Sequence, residues 1–144
     1  MSKHKNMLDT KKTVLVIEDE VTLLEMYTIK FSASDLNFFG ASTGEEGIKQ
    51  ISEQHVDLLL VDLMLQNKAV GGVIDGYEVI KQVRKNNKDI KICALTNLDQ
   101  EKNIKEAYIA GADDYLVKSD LTPAELVAKA KDILAGKKVG VIRK

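Results

Sequence analysis

The fold follows from the stretch Asp57-Leu58-Leu59-Leu60-Val61-Asp62-Leu63, in which four consecutive apolar residues stand between two aspartates. A strand with such a run is apolar on both faces, which is typical of a central strand in a parallel sheet covered on both sides. Asp62 interrupts the run, so an acidic side chain is expected where the strand ends. The stretch therefore predicts a buried strand with a carboxylate at its carboxyl end.

Strand and helix patterns alternate on both sides of this stretch. Short segments rich in Val, Ile, Leu or aromatic residues predict strands at 13–17, 36–41, 57–63, 90–96 and 114–117. Between them, apolar residues recur at helical spacing: Leu24, Tyr27 and Phe31; Ile48 and Ile51; Val79, Ile80 and Val83; Ile104, Ala107 and Tyr108; Leu126, Ala130 and Ile133. The pattern gives five strand-helix pairs.

Two helix starts and two helix ends carry capping signals. A threonine followed three residues later by a glutamate occurs at 43–46 and at 122–125, and both are typical of capping boxes. Gly111 and Gly136 stand where helix C-termini need a left-handed residue. The last helix is therefore predicted to end near Ala135.

Strict alternation of strands and helices predicts an α/β fold, a doubly wound parallel sheet with helices on both faces. In the five-stranded member of this class the order is 2-1-3-4-5, and ligands bind outside the carboxyl ends of the strands. We expect a polar tail at 1–12, one domain at 13–136, and a short, basic, solvated tail at 137–144. The chain would be a stand-alone unit or a domain cut from a longer protein.

Composition excludes several classes of protein. The 144 residues carry a formal net charge of −1, which gives no general field for attracting nucleic acid or an anionic membrane. No uninterrupted apolar run exceeds four residues, whereas a transmembrane helix needs about 20. The polar segment 1–12 lacks the apolar stretch of a secretory signal, and a single cysteine, Cys93, excludes an internal disulfide. We expect a cytoplasmic protein that binds neither nucleic acid nor membrane.

Polar side chains follow the predicted strands where the sheet order makes the strand ends converge. They are Glu18 and Asp19 after the first strand, Asp62 at the end of the third, Thr96 at the end of the fourth and Lys118 after the fifth. Clustered carboxylates repel one another and favour a bound cation. Carboxylate oxygens with access to solvent suit Mg²⁺, and a lysine and a hydroxyl beside them suit a phosphoryl group.

Four motifs in this order resemble the receiver domain of two-component response regulators. They are Val-Leu-Val-Ile-Glu-Asp-Glu at 14–20, Leu-Val-Asp-Leu-Met at 60–64, Ala-Leu-Thr-Asn at 94–97 and Gly-Ala-Asp-Asp-Tyr-Leu-Val-Lys at 111–118. The resemblance extends over about residues 13 to 135 and implies a flavodoxin-like (βα)5 three-layer sandwich.

The resemblance implies that Asp62 accepts a phosphoryl group from a sensor histidine kinase or a histidine phosphotransfer protein. The implied Mg²⁺ ligands are Asp62, Asp19, Glu18 and the main-chain carbonyl of Met64. Apart from self-catalysed phosphotransfer and slow autodephosphorylation, no enzymatic activity is expected.

The resemblance also implies a switch. Lys118 and Thr96 would contact the phosphoryl oxygens, and Tyr115 would change between exposed and buried rotamers as the threonine moves. The surface of the fourth helix, fifth strand and fifth helix would then change and bind a downstream protein, and two copies could dimerise through it.

Two departures from the family pattern affect the site. The glycine that usually lies eight residues after the acceptor corresponds to Gly76, which lies 14 residues after Asp62, so 66–75 is predicted to be an enlarged loop that alters access to the site. Ser119 stands where the family has a proline with a cis peptide bond, which leaves the geometry of Lys118 open.

Two alternative functions remain at this point. One is a phosphate-independent receiver-like binding module, which the enlarged loop favours and the complete set of acceptor-site residues opposes. The other is a Mg²⁺-dependent hydrolase with an aspartyl-phosphate intermediate. Such hydrolases have a second aspartate two residues after the first, where this chain has Met64.

Overall fold

The computed structural model describes residues 11–65, 71–97 and 101–140, and these form a three-layer α/β sandwich. Five parallel strands, in the order β2-β1-β3-β4-β5, confirm the predicted topology. Their bounds are β1 Thr13–Ile17, β2 Asn37–Ala41, β3 Leu58–Asp62, β4 Lys91–Thr96 and β5 Asp114–Val117.

Each strand is followed by a helix within the described part of the chain. The helices are α1 Val21–Ser32, α2 Gly44–Glu53, α3 Gly76–Asn86, α4 Glu101–Ala110 and α5 Pro123–Leu134. A short 3₁₀ helix, Lys118–Asp120, separates β5 from α5. None of the helices in the described ranges is both long enough and apolar enough to cross a bilayer.

The core has two halves, one on each face of the sheet, and β3 contributes to both. Leu59 and Val61 pack with α2, α3 and α4 on one side, whereas Leu58 and Leu60 pack with α1 and α5 on the other. Alternate side chains of a strand point to opposite faces, and all five residues of β3 are buried. Both faces of β3 are apolar because both are buried, one in each half of the core.

The predicted capping signals lie at helix ends. The Thr122 hydroxyl accepts from the Glu125 N–H while the Glu125 carboxylate accepts from the Thr122 N–H, a complete capping box. At α2 the Thr43 hydroxyl accepts from the Glu46 N–H at 3.1 Å. Gly111 and Gly136 have φ of 126° and 89°, as expected of residues that end helices.

The start of α3 closes the enlarged loop. Residues 66–70 of that predicted loop lie outside the described residues, whereas 71–75 are described. The Gly76 N–H donates to the Leu63 carbonyl at 3.1 Å, and the Glu45 carboxylate accepts from the N–H groups of Val73 and Ile74 at 3.1 and 3.3 Å. The carboxyl-terminal arm of the loop is therefore held against β3 and α2.

The segment after α5 is bonded to the sheet in its described part. Residues 138–140 hydrogen bond to Asp114, the first residue of β5, and to Asp113 just before it, although the sequence led us to expect a solvated end. Residues 141–144 lie outside the described residues.

We predict that Gly76→Ala destabilises the protein by about 1–3 kcal/mol. A Cβ at position 76 would lie 2.2 Å from the Asp62 carbonyl oxygen and 2.5 Å from the Leu63 Cα, and backbone cannot rotate away as a side chain can. The measurement is urea unfolding. Gly72→Ala is the control, because the nearest atoms to its Cβ would be side-chain atoms, of Thr43 at 3.3 Å and of Glu45 at 3.8 Å. Equal stability of the two variants would contradict the requirement for glycine at the start of α3.

Candidate functional site

The register of the parallel strands brings the predicted site residues to one edge of the sheet. Val61 of β3 pairs with Ile17 of β1, so Glu18 follows directly beside the end of β3. On the other side, Asp62 pairs with Leu95 of β4. The fifth strand ends at Val117, immediately before Lys118. Because all these strands are parallel, their polar ends meet at their carboxyl edge.

Lys118 lies at the centre of the cluster. Its Nζ donates to the Glu18 Oε1 at 2.6 Å and to the Asp62 Oδ2 at 2.9 Å. The side chains of Lys118 and Asp62 are each 7% exposed and that of Glu18 is 1% exposed. These are buried, charge-assisted hydrogen bonds, which are about twice as strong as neutral ones. Ser119 in place of proline does not prevent Lys118 from reaching the cluster.

The second oxygen of Asp62 is bonded to the backbone. Its Oδ1 accepts from the Met64 N–H at 2.9 Å, which fixes the carboxylate at the end of β3. The Met64 side chain itself is 46% exposed. Asp62 is therefore oriented from both sides, by an ammonium and by a main-chain amide.

The pKa of Glu18 and that of Lys118 are both raised, for different reasons. Desolvation of Glu18, reinforced by the charge of Asp62, raises its pKa to about 7 against the pull of Lys118. Burial acts to lower the pKa of Lys118, but the charge of Asp62 and the bonds to both acids outweigh it and raise that pKa above its ordinary value. The ammonium is thus firmly protonated, while Glu18 titrates near neutral pH.

Glu18, Asp19 and Asp62 form a group that could hold a metal ion. Each offers a carboxylate oxygen, and these oxygens lie within 4.8 Å of one another. Three carboxylates face one ammonium in the cluster, so the ionised group has an excess of negative charge that a divalent cation would neutralise. Hard oxygen donors at this separation, with the half-buried Asp19 open to solvent on one side, fit Mg²⁺.

Thr96 and Tyr115 lie on β4 and β5, the two strands on one side of β3. Thr96 is the last residue of β4 and pairs with Val117 of β5, and it is buried at 2% exposure. The Tyr115 ring is 3% exposed and stands edge-on to the Tyr108 ring at 6.2 Å between centroids. The structure therefore describes the buried rotamer of Tyr115.

Two acids near the cluster in sequence serve other purposes. The side chain of Asp57 accepts from the Thr13 N–H at 2.8 Å and bonds to the His55 ring, at the opposite end of β3 from the site. Glu20 is exposed and precedes the first residue of α1, and its N–H donates to the Glu18 Oε2 at 3.1 Å.

Sequence reasoning placed Tyr27 only on the apolar stripe of α1. In the structure, burial and then the charge of Glu18 raise the pKa of Tyr27 to about 12. Helical spacing marked this residue as buried, but no feature of the sequence shows which strand end a helical side chain faces.

Comparison with protein families matches residues 14–131 to the response regulator receiver domain. The transcriptional regulatory protein PhoP for alkaline phosphatase synthesis, from Bacillus subtilis, is 33% identical over 123 residues, which are 85% of this chain and 48% of that protein. ResD of the same organism is 32% identical over 84% of this chain and 47% of its own. The chain spans about half the length of these curated relatives.

Solved structures agree with this assignment. A putative response regulator from Chloroflexus aurantiacus has a TM-score of 0.72 and 32% sequence identity, with 87% of this chain and 98% of that one covered. A CheY-like receiver domain protein from Methanospirillum hungatei, at 24% identity, has a TM-score of 0.76 over 88% of this chain and 95% of its own, and supports the fold.

We predict that the free energy of unfolding of the metal-free protein falls as pH rises from about 5 to about 7. The pKa of Glu18 is about 7 in the folded protein and its ordinary value is 4.5, so the folded protein binds more protons than the unfolded chain between these values. The destabilisation is absent below the lower value and complete above the upper one. It should amount to about 1–3 kcal/mol.

Urea unfolding at several pH values, with a chelator present, measures this slope. Glu18→Gln should remove most of it, because the amide does not titrate, whereas the control Glu20→Gln should retain it. Parallel pH profiles for wild type and Glu18→Gln would contradict the assignment.

Proposed function

Because the chain belongs to the response regulator receiver domain family, we propose that Asp62 accepts a phosphoryl group in a Mg²⁺-dependent reaction and that the protein acts as a signalling switch. The observation that carries the proposal is the bonding of Asp62. Its carboxylate ends the central strand, shares an ammonium with Glu18, and is oriented by the Met64 N–H. A carboxylate fixed in this way presents an oxygen as a nucleophile and has a cation beside it.

Glu18, Asp19 and Asp62, with the main-chain carbonyl of Met64, would hold the metal ion. When bound, Mg²⁺ supplies positive charge that offsets the repulsion between the acids and an incoming phosphoryl group. Asp19 is the most accessible of the three acids, and Glu18 must lose its proton to contribute a charge. The protein's own contribution is to orient the acceptor and to hold Lys118 in place.

Attack of an Asp62 oxygen on the phosphorus of a phosphohistidine would form an acyl phosphate and release the histidine. Lys118 already donates to Asp62 Oδ2, so its ammonium is placed to bond to a phosphoryl oxygen on the same carboxylate. The Thr96 hydroxyl, at the end of the neighbouring strand, would donate to another oxygen. These two contacts bias the equilibrium between two conformations of the domain.

The rotamer of Tyr115 would change with that equilibrium and so alter the surface of α4, β5 and α5. It lies three residues before Lys118 on β5 and is buried in this conformation. The expected partners are a sensor histidine kinase or histidine phosphotransfer protein upstream and a protein that binds this surface downstream. Dimerisation through the same surface is a further proposal, as is cytoplasmic location.

The two alternatives are less well supported by the site. An aspartyl-phosphate hydrolase would need an acid two residues after the nucleophile, and that position holds the exposed side chain of Met64. A phosphate-independent binding module would not need the buried arrangement of Glu18, Asp62 and Lys118.

We predict that acetyl phosphate with Mg²⁺ adds one phosphoryl group to the wild-type protein and none to Asp62→Asn, as measured by mass spectrometry of the intact chain. Asp57→Asn is the matched control, since Asp57 precedes the same strand at its opposite end. It should be phosphorylated like wild type. A phosphoryl group that persists in Asp62→Asn would falsify the assignment of the acceptor.

Turnover separates the alternatives in the same assay. A hydrolase would release phosphate from acetyl phosphate in many cycles per protein molecule, whereas a receiver should accumulate the phosphorylated form and release phosphate slowly. A phosphate-independent module would gain no mass.

We further predict that Thr96→Ala is phosphorylated but loses most of the response at Tyr115, because the hydroxyl that would bond to the phosphoryl oxygen is missing. The response is the change in backbone amide chemical shifts of Tyr115 and its β5 neighbours on phosphorylation. Thr96→Ser keeps the hydroxyl and should restore the response. The role of Thr96 is wrong if the alanine variant responds as fully as the serine variant.

A further inference from the structure

The segment that follows α5 is bound to a buried carboxylate at the start of β5. Asp114 is 2% exposed. Its Oδ2 accepts from the Val139 N–H at 2.7 Å and its Oδ1 from the Gly140 N–H at 2.8 Å. Oδ1 also accepts from the Tyr115 N–H at 2.9 Å. A buried carboxylate requires such donors, and two of these three come from the segment.

Lys138 adds a second type of contact. Its Nζ donates to the Asp113 carbonyl at 2.6 Å and lies 5.1 Å from the centroid of the Tyr108 ring, over the ring face. A cation at this distance is attracted by the aromatic ring. Residues 138–140, which we term the cover segment, therefore bind both β5 and α4.

The cover segment lies directly against the Tyr115 ring. A Cβ added at Gly140 would lie 2.6 Å from the Tyr115 Cε1 and 2.6 Å from the Asp114 Oδ1, so the main chain at Gly140 already contacts both. Tyr108 stands on another side of the ring. Any movement of the Tyr115 ring toward Gly140 would therefore require the cover segment to move.

Three hydrogen bonds and one contact between a cation and a ring hold the cover segment, and Val139 also packs against the core half that contains α5. A cavity of about 210 Å³ lies beside the segment and is lined by Val139 and Gly140 together with Leu121 and Lys129. The strand beneath it, β5, is at the edge of the sheet, and a covering loop is one way in which proteins shield such an edge. Release of the segment would break these polar bonds and expose the half-buried Val139, but it would leave the fully buried residues of that core half in place.

We propose that the cover segment occupies the binding face of α4 and β5 in the unphosphorylated protein and is displaced when Asp62 is phosphorylated. The second half of this statement rests on the proposed function, because movement of Tyr115 is what would displace Gly140. A protein that binds this face must replace the cover segment. The segment thus makes access to the face depend on the state of Asp62.

Hydrogen exchange of the Val139 and Gly140 amides, measured by NMR on the full chain, tests the occupancy. Both amides should exchange at least about tenfold more slowly in wild type than in Gly140→Ala, whose added methyl group clashes with Asp114 and Tyr115. Lys137→Ala is the control, since Lys137 is exposed, and it should keep the protection. Equal exchange in wild type and Gly140→Ala would overturn the occupancy.

Beryllofluoride with Mg²⁺, which stands in for the phosphoryl group, tests the displacement. It should reduce protection of the two amides in wild type to the level of Gly140→Ala and have no effect in Asp62→Asn. Since coupling between two sites is reciprocal, Gly140→Ala should also bind beryllofluoride more tightly than wild type. Unchanged protection in wild type saturated with beryllofluoride would overturn the displacement.

Mass spectrometry after treatment with acetyl phosphate separates the two proposals. A chain that gains no phosphoryl group contradicts the proposed function and the displacement of the cover segment. The exchange data from the untreated protein then still decide whether the cover segment occupies the face of α4 and β5. A phosphorylated chain whose Val139 and Gly140 amides stay protected contradicts the displacement alone.

Discussion

The site depends on one buried ammonium shared by two buried carboxylates. Lys118 Nζ lies 2.6 Å from Glu18 and 2.9 Å from Asp62, and without it the two acids could not both ionise in so little solvent. Removal of one member of a buried ion pair is strongly destabilising, because the remaining charge loses its partner. Glu18 follows β1, Asp62 ends β3 and Lys118 follows β5, so the two hydrogen bonds of Lys118 join the carboxyl ends of two inner strands and one edge strand.

The sheet supplies the geometry that this interaction requires. Only a central strand with two apolar faces can be buried between helix layers, and β3 has that pattern up to Asp62. The carboxylate therefore stands at the last position before the strand leaves the sheet. The contact of Gly76 with the Asp62 and Leu63 backbone then fixes where α3 begins, so the chain returns to the sheet at a defined point whatever the length of the preceding loop.

Most of the fold could be predicted from the sequence, because periodicity and caps are local signals. The strands at 36–41, 57–63 and 90–96 were predicted one residue too long at one or both ends; at Leu36 the N–H donates to the Ser34 hydroxyl before the strand begins. The cluster of Glu18, Asp62 and Lys118 could also be predicted from the sequence, since the carboxyl ends of parallel strands converge.

The contacts at the start of β5 could not be predicted from the sequence. Asp113 and Asp114 are identical neighbours in the sequence, yet alternate residues of an extended chain face opposite ways. Asp113 accepts from Arg84 of α3 at 2.7 Å and from the Ile92 N–H at 2.9 Å, whereas Asp114 binds the cover segment. No periodic pattern distinguishes two acids whose partners are distant in sequence and belong to different layers.

β5 connects these two parts of the molecule. The strand has four residues; it begins at Asp114, which holds the cover segment, and leads directly into Lys118, which holds the acceptor. An ammonium has three N–H donors, and two of those of Lys118 go to Glu18 and Asp62. On the proposed function, a phosphoryl oxygen would compete with these acceptors or take the third donor. Either change would alter the hydrogen bonds that hold the residue following β5. Because Tyr115 lies between the two ends and contacts Gly140, the proposed phosphorylation of Asp62 would act on the covered face through a single short strand.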